Sequence, residues 1–310
     1  MKVFLAGASG ALGRRLTPAL LEAGHQVTGM TRSQESADRI RESGAEAVVC
    51  DVFDREQLTE VVGQAAPTVI VHQLTALPAA FDVRKIDYGP TSRLRTEGTR
   101  NLIDAGTAAG ASRFVSQSIA FMYTPEGDPI ASEEDPVYSH APSPFGEAVA
   151  ATEDGDRQVV EASGMAGLVL RYGFFYGPGT YYASDGSAAN ETRKRRQPIV
   201  GSGTGVFSFI HVEDAASATV AAVERGAPGI YNVCDDEPAQ MKEWVPVYAQ
   251  ALGAKRPFKV PLWVGRLAAG PLAVHFATGL RGASNAKAKR DLGWQPSHSS
   301  WRDGFREALG

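Results

Sequence analysis

Two cysteines in 310 residues, Cys50 and Cys234, exclude a disulfide framework and suit a reducing cytoplasm, where both read as ordinary buried thiols. Charge of one sign is equally scarce. The 31 Lys and Arg against 35 Asp and Glu leave a net charge of −4, so no broad basic field exists to hold duplex nucleic acid or an anionic membrane. A small molecule is the expected partner. No apolar run is clean enough to span a bilayer: residues 262–280 come nearest, but Arg266, Gly270, Pro271 and His275 interrupt them, and the tract reads as a broken helix in a core. The apolar opening, residues 1–6, stops at Gly7, Ser9 and Gly10 before it could form a signal-peptide core. The six histidines lie far apart in sequence and no H-E-x-x-H pair occurs, so no metal is expected. A nucleophile elbow, a Walker loop, a nucleic-acid module, internal repeats and low-complexity tracts are likewise absent.

What remains is a chain with 43% hydrophobic residues, long enough for one large or two ordinary domains. Short Val/Ile/Leu-rich runs at 2–6, 26–30, 46–50, 68–72, 113–118, 167–172 and 229–233 alternate with longer helical stretches. That alternation predicts an α/β protein, a doubly wound parallel sheet with helices on both faces. Leu12, Leu16, Leu20 and Ala23 recur at helical spacing, with Gly24 as a stop and Pro18 as a local conflict that should bend the helix. Further helices are expected from Pro90 to about Gly110 and over 145–162. After Tyr172 the alternation fails. Residues 1–176 and 206–235 are therefore assigned to the sheet domain, and 177–205 and 236–310 to a smaller, helix-rich cap.

The loop Gly7-Ala8-Ser9-Gly10-Ala11-Leu12-Gly13 follows a strand and opens a helix, the context in which a glycine pattern binds a dinucleotide. Glycine permits the tight turn and close backbone approach to a pyrophosphate, and the helix N-terminus offers unpaired N–H groups. After the second strand stands Thr31-Arg32-Ser33 where an NAD site carries an acidic residue. Arg32 can make paired hydrogen bonds to a 2′-phosphate, with Thr31 and Ser33 as further donors, which predicts NADP(H) in preference to NAD(H).

These features resemble the extended, atypical branch of the short-chain dehydrogenase/reductase superfamily, the epimerase/dehydratase-like proteins with a Rossmann fold. The resemblance rests on GxxGxxG at 7–13, Asp51-Val52, Gly98-Thr99-Arg100-Asn101-Leu102, Tyr176-Gly177-Pro178-Gly179, Ile210-His211-Val212-Glu213-Asp214-Ala215 and Leu292-Gly293-Trp294-Gln295-Pro296. It implies that Ser9, Ala11 and Leu12 join the glycines at the cofactor, that Asp51 and Val52 flank the adenine, and that Gln73, Leu74 and Thr75 run beside the nicotinamide ribose. It also implies a homodimer through the helices at 90–110 and 145–162.

Relatives pair a tyrosine with a lysine four residues later on one helix, in a segment like Ser-Pro-Tyr-Gly-x-x-Lys. Here Ser143-Pro144-Phe145-Gly146-Glu147-Ala148-Val149 replaces both, and no Tyr-x-x-x-Lys occurs anywhere. The usual proton relay is gone. By resemblance the remaining catalytic candidates are Ser118 at the end of the fifth strand, then Tyr123, Tyr172 and Tyr176. Phe145 and Arg95 are placed in the substrate site, although Arg95 could instead pair with Glu97 or Glu60. His211 reads as a helix entry, and residues 193–196 as a solvated basic turn. The expected function is an NADPH-dependent oxidoreductase of a small carbonyl or related unsaturated compound. An isomerase, dehydratase or cyclase on the same fold, or a dinucleotide-responsive regulator, is the alternative.

Overall fold

A computed structural model describes residues 1–78, 80 and 87–309. Seven strands form one parallel sheet: β1 Lys2–Ala6, β2 Gln26–Thr31, β3 Glu46–Val49, β4 Val69–His72, β5 Arg113–Ile119, β6 Ala166–Tyr172 and β7 Gly229–Val233. Their order across the sheet is β3-β2-β1-β4-β5-β6-β7. The chain thus winds outward from β1 in one direction, crosses back at β4 and continues in the other. Such a reversal leaves a crevice beyond the C-terminal ends of β1 and β4. The expected strands stand within a residue or so of the observed ones, because runs such as Val69-Ile70-Val71 are buried on both faces and carry no helical period.

Alternate residues of each strand feed two cores. One face packs Leu5, Val71, Val115 and Leu170 against α1 (Gly13–Glu22), α2 (Gln34–Glu42) and α8 (Val212–Glu224). The other packs Phe4, Ile70, Phe114 and Val169 against α3 (Arg55–Ala65), α5 (Thr99–Ala108) and α6 (Phe145–Val160). Helix α1 runs on through Pro18, which sits six residues into it. The helix expected from Pro90 is α4 (Gly89–Arg93) joined to α5 by a π-helical turn, Leu94–Gly98.

A third, aromatic core gathers Tyr176, Phe207, Phe209, Trp244, Tyr248, Trp301 and Phe305, with α9 (Met241–Ala251) and α12 (Trp301–Leu309) supplying the last four. Residues 262–280 form α10 (Leu262–Val274) and a second π turn, His275–Gly279, and the break falls at Gly270, whose φ is 82°. The expectation that this tract lies in a core needs correction. Trp263 is 70% and Leu267 83% exposed, and Gly265 is the one fully buried residue of α10. No helix among the described residues is long and apolar enough to cross a membrane.

Candidate functional site

The glycine loop leaves β1 at the crevice. Gly7 has φ of 96°, and a Cβ there would stand 2.8 Å from the Gln73 carbonyl at the end of β4. A Cβ on Gly13 would overlap the Gly7 carbonyl oxygen and lie 2.6 Å from the Ala8 carbonyl. Both positions therefore exclude any side chain without moving backbone. Gly10 N–H donates to Gly7 O at 3.1 Å, which closes the turn, while the N–H groups of Ala11 and Leu12 have no backbone acceptor among the described residues. Leu12 precedes α1 without a side-chain cap. Open donors at a helix N-terminus are suited to a phosphate. Beside them lies a cleft of about 360 Å³ lined by Ala11, Arg14, Arg15, Pro178 and Gly179. These residues fit a dinucleotide pyrophosphate.

At the end of β2, Ser9 Oγ lies 3.3 Å from the buried Thr31 hydroxyl, so that pair links the loop to the strand. Arg32 is exposed and has no ion-pair partner among the described residues. Ser33 caps α2 by accepting from Ser36 N–H at 3.3 Å, which leaves its own proton free. After β3, Asp51 folds back to accept from Phe53 N–H at 2.9 Å, and the Val52 carbonyl accepts from Asn101 Nδ2 at 3.0 Å. After β4, Gln73 donates to the Tyr172 hydroxyl at 3.3 Å, the Leu74 carbonyl accepts from Gln117 at 3.2 Å, and Thr75 is exposed.

The four sequence candidates for proton chemistry fall in three separate places. Ser118 is buried and donates to Asp156 Oδ2 at 3.1 Å; Asp156 pairs with Arg171 Nε at 3.0 Å. Arg171 donates in turn to Tyr123 Oη at 3.2 Å, and Tyr123 donates to Asn232 Oδ1 at 2.7 Å. Burial pushes the Asp156 carboxyl up against the pull of Arg171, and pushes Tyr123 up to about 12. Ser118 and Tyr123 thus belong to one buried network between β5, β6, β7 and α6. Tyr172 lies on the opposite face of the sheet, its hydroxyl 2.7 Å from Thr219 Oγ1 of α8. Tyr176 is enclosed in the aromatic core beside Phe305 and His211. Burial raises the pKa of both phenols, so neither is an acid tuned for neutral pH.

Arg95 pairs with neither Glu97 nor Glu60, contrary to one sequence expectation: Glu97 is held by Arg93 and Glu60 by Gln64. The π turn aims Arg95 inward, where Nη1 donates to Thr152 Oγ1 of α6 and Nε is buried without a partner among the described residues. Phe145 is buried with ring centroids 6.4 Å from Tyr88, 5.9 Å from His275 and 5.6 Å from Phe276. Val149, a turn further on, is fully buried. The expectation of no metal-type cluster also needs correction. His211, Glu213 and His298 put potential ligand atoms within 4.8 Å of one another, because Asp214 accepts from the His298 backbone and holds that ring at 3.0 Å.

Sequence reasoning missed Asp156, Arg171, Thr152, His72, His275 and Tyr88. A signal for two of them existed: Phe145, Val149, Thr152 and Asp156 follow one stripe of α6. His72 closes β4; its Nδ1 accepts from Leu74 N–H at 3.2 Å while Nε2 faces Leu94 O at 3.4 Å, which fixes a neutral ring. Burial, reinforced by Arg95, lowers it to about 4; burial alone lowers His275 to about 4 against a weak opposing pull from Glu126. Both rings stay neutral in the fold but charge on unfolding below about 6.5. The unfolded chain then binds more protons, so stability is full above that pH and falls as pH drops towards 4. Urea midpoints at pH 7 and pH 5 should show the loss, and His275→Phe should flatten it; an identical slope in the variant would remove His275 from this account.

The sequence profile of the NAD dependent epimerase/dehydratase family matches residues 3–234. The chain belongs to that family. It is an NAD(P)-dependent oxidoreductase of the extended short-chain type. Over 98% of its length and 99% of the relative's, it is 45% identical to the 3-diazoavenalumate denitrifying reductase of a Streptomyces species. It is 26% identical to the 4-hydroxy-2-methyl-3-oxo-4-farnesyl-3,4-dihydroquinoline-1-oxide ketoreductase of Stigmatella aurantiaca, over 99% of this chain and 96% of that one. Among solved structures, UDP-glucose 4-epimerase of Thermotoga maritima shares the fold with a TM-score of 0.75 at 21% identity, covering 100% of this chain and 97% of the other. The family's match ends just after β7, so α9, α10 and α12 lie beyond it.

Proposed function

We propose that the protein is an NADPH-dependent reductase that removes the diazo group from a small organic compound. The observation that carries the reading is the pair Phe145 and Val149 in a chain whose glycine loop keeps the backbone shape of a dinucleotide site. A site with those residues suits a substrate in which protonation need not accompany hydride transfer. A diazo group meets that demand. Its terminal nitrogen accepts hydride to give a diazene, and loss of dinitrogen then drives the reaction. A neutral diazo compound consumes one hydride and one proton overall and yields the C–H compound and dinitrogen. The name of the 45% identical relative supports the same substrate class.

Gly7, Gly10, Ala11, Leu12 and Gly13 would hold the pyrophosphate, and Arg32, with the Thr31 and Ser33 hydroxyls, the 2′-phosphate. Bound there, the cofactor supplies the hydride. Ser118 positions α6 through Asp156 instead of meeting substrate, and Phe145 gives the reacting end an apolar wall. We further assign the cap to 177–205 and 236–310, and take the enzyme to act as a cytoplasmic homodimer.

The test follows absorbance at 340 nm with NADPH or NADH and a diazo-substituted carboxylic acid, with dinitrogen release measured alongside. NADPH should be favoured. Arg32→Ala should lower kcat/KM for NADPH about 10- to 100-fold, equivalent to the roughly 1.5–3 kcal/mol of a charge-assisted hydrogen bond, and leave NADH turnover unchanged. Equal losses with both cofactors would sink the 2′-phosphate assignment. Dinitrogen release without NADPH oxidation would sink the redox reading.

A further inference from the structure

Tyrosine and lysine are missing from α6, yet a phenol and a cation stand beside the two vacated positions, both supplied by the neighbouring helix. Tyr88 precedes α4 and Arg95 lies in the π turn that follows, close enough for the charge of Arg95 to act on the Tyr88 phenol. The Tyr88 ring is tilted 59° against Phe145. The Arg95 guanidinium donates to Thr152, one turn beyond Val149. Tyr88 is half-buried, and its hydroxyl has no hydrogen-bond partner among the described residues. Among the described residues Arg95 has no carboxylate within ion-pair distance, and its buried Nε has no hydrogen-bond partner.

We infer that Tyr88, backed by Arg95, replaces the absent tyrosine and lysine as the phenol that donates a proton to the substrate. The inference rests on the proposed function and extends it. Hydride addition to the terminal nitrogen of a neutral diazo compound leaves an electron pair on the conjugated atom at the other end of the group. The Tyr88 O–H bond breaks, its proton goes to that atom, and the phenolate is reprotonated from solvent. A diazonium cation has no such pair to neutralise and takes hydride alone.

The electrostatics agree with this division of labour. Burial raises Tyr88 to about 12 while Arg95 pulls it down, and among the described residues Arg95 is the one charged group acting on it. Burial lowers Arg95 to about 10, with Asp156 and Tyr88 opposing, so Arg95 remains a cation at neutral pH and Tyr88 a protonated donor. A desolvated cation without an ion-pair partner is costly, and sites that retain one commonly serve a ligand.

Three measurements test the pair. With NADPH and a neutral diazo ester, Tyr88→Phe should lower kcat about 100-fold, against tenfold or less with an arenediazonium cation. Equal losses with the two substrates would overturn proton donation. Arg95→Met should lower kcat with the neutral substrate yet raise Tm, because it removes an uncompensated buried charge. A lowered Tm with unchanged kcat would make Arg95 a structural tie between helices. If neither diazo compound is turned over, the proposed function fails, and Tyr88 is read separately from the infrared C=O stretch of an aryl ketone bound with NADP+. That stretch should be lower in the wild type than in Tyr88→Phe; no difference would remove Tyr88 from the site.

Discussion

Gly13→Val should abolish measurable NADPH binding and cost about 3 kcal/mol or more of stability. The methyl groups have nowhere to go: the position already faces the carbonyls of Gly7 and Ala8, and backbone cannot yield as a flexible side chain would. Relief requires the loop to move off α1, which also turns the Ala11 and Leu12 N–H groups away from the crevice. Urea unfolding and fluorescence titration with NADPH check both halves. A variant that binds NADPH with wild-type affinity would mean that the loop does not cradle the pyrophosphate.

Asp156→Ala should be nearly as damaging for a different reason. The carboxylate and Arg171 are 6% and 4% exposed, and the carboxylate also accepts from Ser118. Removing it strands a buried guanidinium and a hydroxyl, for an expected loss of about 3–5 kcal/mol. The double variant Asp156→Leu/Arg171→Met should recover much of that loss, since it removes both charges and fills the space. Urea midpoints of the wild type, single and double variants decide it. If the single variant loses under about 1 kcal/mol, water must reach the pair and the network is not a dry core.

The sheet was legible in the sequence because burial on both faces writes itself as unbroken Val, Ile and Leu runs, as at Val69-Ile70-Val71. The glycine loop was legible because its strand, turn and helix agree locally. The surroundings of Ser118 were not legible for a physical reason. Its partners Asp156 and Arg171 lie 38 and 53 residues on in sequence, and nothing local shows that α6 and β6 close over it. Arg95 illustrates a second limit. An α-helix advances about 100° per residue, so one residue of π-helical expansion redirects a side chain by that much, from solvent towards Thr152. His298 reaches His211 only because the segment before α12 docks on Asp214. Tyr88 and His275 carry no motif at all. They become visible once the rings around Phe145 are in place.

Departure from the family's tyrosine and lysine can mean a changed reduction or the end of redox chemistry, and label transfer separates the two. NADPH deuterated at C4 on one face or the other, incubated with a diazo-substituted carboxylic acid, should give NADP+ stripped of deuterium for one of the two labels, with stoichiometric dinitrogen and slower turnover for that label alone. Dinitrogen released while the labelled NADPH is left unconsumed would contradict the account.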